Sequence, residues 1–251
     1  MFTLSCRTPC DSGSDMRAFC WTCHRPDVAC FCAQALPFAS DADFALIVHP
    51  YEARSTVGTA WILRRSISNL KWFRSKGIGL DADPRFLEIL NAPETVPLLL
   101  FPGQQAFNLS QASTEDWRSL VSNSRRPLFF VIDGTWTQAH AMLRKSALLR
   151  SLPRVSFETT RLSEYGFKIQ PHPACLSSVE GVHRVIEVLA SRGWGSLPAF
   201  REHDQMIEIF RNMVKFQFKH ERNPRIDSRV VRRALEKDDN EVRRGNPPGT
   251  P

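Results

Sequence analysis

The stretch Leu128-Phe129-Phe130-Val131-Ile132-Asp133-Gly134-Thr135-Trp136 decides how this chain is read. An apolar run rich in aromatic and β-branched residues that stops at Asp-Gly reads as a buried strand ending in a tight turn. Residues 138–149 follow as a helix-like stretch. In an open α/β sheet, ligands bind just beyond the carboxyl ends of the strands, so Asp133 stands where chemistry is done. Its carboxylate has two readings. In a partly desolvated pocket it accepts a proton or orients a nucleophile; as a turn residue it holds backbone amides. Thr135 suits the cap of the following helix. Trp136 suits the core, the floor of a pocket for a planar ring, or both.

Outward from this centre, residues 45–48, 96–101 and 155–157 are further strand candidates, separated by helix-length segments. That alternation predicts a largely parallel α/β sheet. A helix is predicted over 59–68. Ser177-x-x-Glu180 forms a capping box that opens a helix over 179–192. The longest helix runs over 204–219, where Met206, Ile209, Phe210, Met213 and Val214 share one face at helical spacing and predict core packing. Pro102-Gly103 makes a second turn at the same sheet edge as Asp133, and glycine permits close backbone approach to a ligand. Exposed amides at the start of the 179–192 helix suit a carboxylate. His49 and Glu52, just past the first strand, either contact substrate or brace the turn.

At 251 residues the chain fits one large domain, or one domain with a small appendage. A net charge of +7 suits either a polyanionic partner or an ordinary basic surface. No run approaches the roughly 20 apolar residues of a membrane span, and the amino terminus lacks the apolar core of a secretory signal. A cytoplasmic, non-membrane protein is expected. In that compartment cysteines suggest metal or free thiols rather than disulfides. Cys20 and Cys23 form C-x-x-C, and Cys30 and Cys32 form C-x-C. Two such knuckles wrap one tetrahedral zinc with four thiolates and leave no open position, so the ion is structural. His24 is a less suitable substitute ligand, and Cys6, Cys10 and Cys175 have no partner pattern. The expected organisation is a disordered segment 1–15, a four-cysteine module 16–36, a main domain 37–220 and a basic, disordered tail 221–251. Met16 offers a second start. Arg144, Lys145, Arg150, Arg154, Arg161 and Lys168 follow the Asp133 segment, either lining a phosphate-binding surface or forming a solvated face.

The ordered set of segments resembles the DTW-domain family of tRNA-uridine aminocarboxypropyltransferases. It comprises Cys20-Trp-Thr-Cys23-His-Arg25-Pro26 with Cys30-Phe-Cys32; His49-Pro50-Tyr-Glu52; Leu100-Phe101-Pro102-Gly103; Asp133-Gly-Thr-Trp136; Ser163-Glu-Tyr165; and Leu176-Ser177-Ser178-Val-Glu180-Gly181. The resemblance runs from about Cys20 to about Met213. It implies a SPOUT-like knotted sheet, mostly parallel and flanked by helices, with a small amino-terminal zinc-binding module. Nothing in the sequence alone suggests a knot, which is rare. It implies transfer of the 3-amino-3-carboxypropyl group from S-adenosylmethionine to N3 of a tRNA uridine, in the variable loop, with methylthioadenosine released. It makes Asp133 the catalytic residue. Pro102, Gly103, Gly134, Thr135, Trp136, Leu176, Ser177, Ser178 and Glu180 become the cofactor-binding set, and Arg144, Lys145, Arg161 and Lys168 the RNA-binding set. An ordinary aspartate titrates near about 4, so a base role needs a raised value that a nearby sulfonium would oppose; base and orienting roles stay open. The chain departs from the family at Lys168, where arginine is usual and lysine lacks the bidentate fork, and at Gly181, where alanine is usual. Two alternatives remain: a methyltransferase using the same donor, and a zinc-stabilised RNA-binding module without catalysis. Protein partners and oligomeric state are not legible.

Overall fold

A computed structural model of the chain describes residues 18–122, 125–166 and 175–220. The expectations for 1–15, for the tail 221–251, for Cys6, Cys10 and Met16 and for Lys168 lie outside these residues. The described elements follow in order as β1 (Phe19–Cys20), β2 (Arg25–Pro26), β3 (Asp43–Val48), α1 (Ala60–Ser66), β4 (Lys71–Arg74), α2 (Pro84–Leu90), β5 (Thr95–Leu100), β6 (Phe107–Asn108), α3 (Thr114–Leu120), β7 (Arg126–Asp133), α4 (Trp136–Lys145), α5 (Ala147–Ser151), β8 (Arg154–Ser156), α6 (Ser178–Ser191) and α7 (Glu202–His220). Strands β3 to β8 form one sheet in the order β4-β3-β7-β5-β8-β6, and every pairing in it is parallel. The mostly parallel α/β expectation holds.

Both sheet faces are covered, which is why the central strands read as continuous apolar runs. Along β7, Phe129 and Val131 pack toward α1, α3, α6 and α7, whereas Leu128 and Phe130 pack toward α2, α4 and α5. The predicted stripe Met206, Ile209, Phe210, Met213 and Val214 is buried on α7, at most 5% exposed. Pro97 sits inside β5 without breaking the sheet. Leu99 and Phe101 donate their amides toward β8; by alternation Pro97 presents its missing donor on that same side, where pairing with β8 begins only at Leu99.

The predicted helix 138–149 is divided. It starts two residues earlier, at Trp136, and ends at Lys145; Ser146 then leaves helical geometry and caps α5. The break has a distant cause. Asp81 accepts from the Ser146 hydroxyl and from the Ala147 amide at 2.7 Å, which removes those groups from a continuous helix. Strands β4 and β6 and helices α2 and α3 carry no strong apolar period and escaped the sequence reading.

The cysteine segment folds back as the antiparallel pair β1–β2 and packs on the main core through Cys23, Phe31 and Cys32. Arg25 clamps it. Its guanidinium lies over the Phe31 ring at 4.5 Å and donates to the Gly58 carbonyl at 3.2 Å, with the Met213 sulfur at 2.9 Å. Burial pulls this arginine below its ordinary pKa.

Candidate active site

Strands β3, β5, β7 and β8 end at one edge, and a cavity of about 1270 Å³ opens beyond them. Its apolar wall is Leu100, Phe101, Val131, Val155, Phe157 and Leu176; its polar groups include Asp133, Thr59, Glu52, Ser177, Ser178 and Arg184. Pockets for one small ligand measure about 300–1,000 Å³, so this cavity lies above that range.

Asp133 is the last residue of β7 and is 6% exposed. Alternation along β7 gives it the same face as Phe129 and Val131, toward α1 and α6. There the Ser178 hydroxyl donates to Oδ1 of Asp133. Thr59 Oγ lies 2.7 Å from Ser178 Oγ and 3.3 Å from Asp133 Oδ1. Each hydroxyl owns one proton, so Thr59 donates mainly to Ser178 and Ser178 to the carboxylate. The short relay fixes the carboxylate at the amino terminus of α6, whose dipole favours a negative charge. The Asp133 carbonyl accepts from the His49 amide at 2.8 Å, joining the ends of β7 and β3.

His49 braces this turn as well as marking it. Its Nδ1 accepts from the Tyr51 amide at 3.3 Å, and burial, helped by the Lys76 charge, lowers its pKa. Tyr165, from the Ser163-Glu-Tyr165 segment, donates its hydroxyl to the Val57 carbonyl and stacks on Phe210 at 5.2 Å. Burial first, and then the charges of Asp133 and Glu52, push its pKa well above the ordinary tyrosine range, so it stays a proton donor.

The other expected site residues separate into groups. Gly134, Thr135, Trp136, Pro102, Leu176, Ser177 and Ser178 line the cavity. Thr135 also caps α4 in a reciprocal box with Gln138, and Trp136 packs edge-on against Phe101 at 5.8 Å. Gly134 sits close against α4: a β-carbon there would crowd Gln138, at 3.2 Å from its Cβ and 3.3 Å from its Oε1. Gly103 is exposed and sits under Arg154 rather than in the wall. Glu180 turns away from the cavity. It accepts from the Ser177 amide, the Ser163 hydroxyl and the Glu164 amide, at 2.7, 2.8 and 2.7 Å, and so fastens the 163–165 segment to the start of α6. Arg144 and Lys145 are exposed at the far end of α4, about 12 Å along the helix from Trp136. Arg161 is exposed in the segment that follows the wall residues Glu158, Thr159 and Thr160.

Among the wall residues that the sequence did not mark as site residues are Thr59 and Arg184. Arg184 lies on α6, and its buried Nε has no hydrogen-bond partner among the described residues. A helical pattern alone gives no sign that this arginine faces a cavity.

Cys20, Cys23, Cys30 and Cys32 converge, with all four sulfurs within 4.8 Å of one another. Cys20–Cys32 and Cys23–Cys30 are each 3.8 Å apart. Zinc–sulfur bonds of about 2.3 Å set tetrahedral sulfurs about 3.8 Å apart, so the residues fit a zinc ion. His24 stands apart from the sulfurs and stacks on Trp61 at 4.1 Å.

Residues 17–218 match the family model described as the DTW domain. A tRNA-uridine aminocarboxypropyltransferase 2 of Drosophila melanogaster is 33% identical over 180 residues, covering 69% of this chain and 67% of the relative. A protein of the same name from Macaca fascicularis is 26% identical over 81% of this chain and 65% of its own length. A tRNA-uridine aminocarboxypropyltransferase A of Arabidopsis thaliana is 23% identical over 81% of this chain and 82% of its own length. This chain spans about two thirds of the length of the two animal relatives. No solved structure matches it.

Proposed function

The chain belongs to the DTW-domain family, and on that premise we propose that it transfers the 3-amino-3-carboxypropyl group from S-adenosylmethionine to N3 of a tRNA uridine. The observation that carries the reading is the buried, hydroxyl-braced Asp133 at the mouth of a cavity larger than the usual pocket for one small ligand. The proposed setting is a cytoplasmic, tRNA-modifying transferase of SPOUT-like knotted fold; the all-parallel sheet with its site at the carboxyl edge supports that family of folds. Among the described residues no helix is long and apolar enough to cross a membrane. The cysteine module and the main domain work as one unit, because they share a core.

The donor supplies an electrophilic carbon beside its sulfonium. In the transfer, N3 bonds to the terminal carbon of the aminocarboxypropyl chain. The carbon–sulfur bond breaks with its electron pair going to sulfur, and the N3 proton leaves to a carboxylate or to solvent. All three carbons on sulfur are activated, so the protein selects the group moved by orientation. Arg184 holds the donor's carboxylate, which gives its buried Nε an acceptor. The loop before α6 and its first amides add to that hold. Trp136, Phe101 and Leu176 surround the planar and methyl parts of the donor and exclude water. Asp133 receives the N3–H, as base or as orienting acceptor. N3 is hidden in a paired base, so the uridine enters unstacked. Arg161 meets the RNA near the cavity, whereas Arg144 and Lys145 meet it at a distance; Lys168, outside the described residues, is kept as a further RNA contact. The four cysteines hold a structural zinc.

The test is incubation with unmodified tRNA and S-adenosylmethionine, followed by nucleoside and co-product mass spectrometry. A uridine that gains the aminocarboxypropyl mass together with methylthioadenosine supports the proposal. A methyl gain with S-adenosylhomocysteine moves the protein to methyl transfer. Bound but unmodified tRNA moves it to a binding role.

A further inference from the structure

A second group of metal-binding side chains lies away from both the cavity and the cysteines. His183 and Glu187 stand one helical turn apart on α6, and His203 and Asp204 lie in the first turn of α7. One donor atom from each lies within 4.8 Å of the others. His183 Nε2 is 2.8 Å from Asp204 Oδ1; His203 Nε2 is 2.7 Å from Glu187 Oε1 and 3.5 Å from Asp204 Oδ1. A tetrahedral ion with bonds of about 2.1 Å to nitrogen and oxygen places neighbouring donors about 3.4 Å apart. The present spacings bracket that value.

We propose that His183, Glu187, His203 and Asp204 form a divalent-cation site that staples α7 to α6. Two imidazoles and two carboxylates make a borderline donor set, suited to zinc, cobalt or nickel rather than to calcium or magnesium. The imidazoles lie face to face at 5.1 Å, and the His203 side chain is fully buried. Each ring turns its Nε2 toward a carboxylate oxygen, the nitrogen by which an imidazole can ligate a metal, and the two carboxylates call for a compensating positive charge. Arg201 supplies part of it from outside. Its Nε donates to Asp204 Oδ2 at 2.7 Å, and its Nη2 donates to Glu187 Oε1 at 2.9 Å and reaches Asp204 Oδ1 at 3.4 Å. Hydrogen bonds that fix the ligating carboxylates are the usual second layer of a metal site. One Arg201 charge offsets one of the two carboxylates, and a divalent ion more than offsets the other. Arg201 also adopts a left-handed backbone, φ +55; its two ion pairs hold it there.

The site is independent of the transfer reaction, and its test uses the intact protein with zinc retained on the cysteines. Cobalt chloride is titrated in and the visible spectrum recorded. The expected result is one saturable cobalt equivalent per chain with ligand-field bands and no thiolate charge-transfer band. His183→Gln and Glu187→Gln should each weaken that equivalent at least about tenfold. Arg201→Gln, outside the donor set, should retain it. Wild-type protein that takes up no such equivalent, or takes up cobalt only with a thiolate band, overturns the proposal whatever the variants do. A nitrogen–oxygen cobalt signal unchanged in both ligand variants overturns it equally, by placing the ion elsewhere.

Discussion

Asp133 is a buried carboxyl group braced by its neighbours. Ser178 and Thr59 supply the hydroxyl relay, α6 supplies its amino terminus, and His49 supplies the backbone bond that keeps β7 beside β3. Asp133→Asn keeps the shape and removes the charge. Turnover should fall by about a hundredfold or more, the usual scale for a lost acid–base group, while the thermal midpoint stays near wild type; near-normal turnover would remove Asp133 from both its base and its orienting role. Arg184→Gln should raise the apparent KM for the donor about 10- to 100-fold, the span of a lost charged hydrogen bond of about 1.5–3 kcal/mol, with a smaller change in kcat. A fall in kcat alone would contradict the carboxylate hold. His49 provides a pH signature. Burial lowers its folded pKa below the unfolded value of about 6.5. Its contribution to stability is therefore complete above the unfolded value and lost as pH falls through the lowered one. Stability measured by denaturant between neutral and mildly acid pH should decline, and His49→Gln should flatten that decline. Asp133 was legible because an apolar strand ends on it. Thr59 and Arg184 were not, since one stands at the start of the predicted 59–68 helix and a helical pattern gives no sign that the other faces a cavity.

At the scale of elements, the start of α6 joins sequence and site. The box formed by Ser177 and Glu180 was readable from spacing alone, but the second role of Glu180 was not. Its carboxylate also gathers Ser163 and Glu164, a contact that only the tertiary fold brings about. Glu180→Gln loses charge-assisted bonds at a position only 8% exposed. It should cost about 1–3 kcal/mol in chemical denaturation; a change within error would mean that the loop is held by other contacts. Gly181 gives the opposite expectation. A β-carbon there meets only Leu100 Cδ2, at 3.9 Å, so Gly181→Ala should stabilise the helix by about 0.4–1 kcal/mol. Lower stability would show that the methyl is not accommodated. The division of α4 from α5 shows the limit of periodic reading: the chain pattern continues through Ser146, and Asp81, far away in sequence, ends the helix.

Across the whole molecule, the strands that were legible are the long central ones, β3, β5 and β7, where both faces are buried and the apolar runs are continuous, and the short β8. The edge strands β4 and β6 are short and half exposed, so they resemble loops in sequence. The order β4-β3-β7-β5-β8-β6 was not legible at all, because register and crossover are tertiary facts. The cysteine cluster was legible by spacing, but its shared core with α1, α6 and α7 was not. That shared core makes metal removal a global event. A strong chelator should lower the thermal midpoint of the entire protein in one transition, and loss of only a small separate signal would mean the module folds alone.

The central claim is that the amino-acid chain of the donor moves and its methyl does not. Two parallel incubations with tRNA test this, one with S-adenosylmethionine labelled in the carboxyl carbon and one with the label in the methyl group. The account predicts label in the RNA from the first donor and none from the second, with the Asp133→Asn variant silent in both. Methyl label in the RNA without carboxyl label would contradict it.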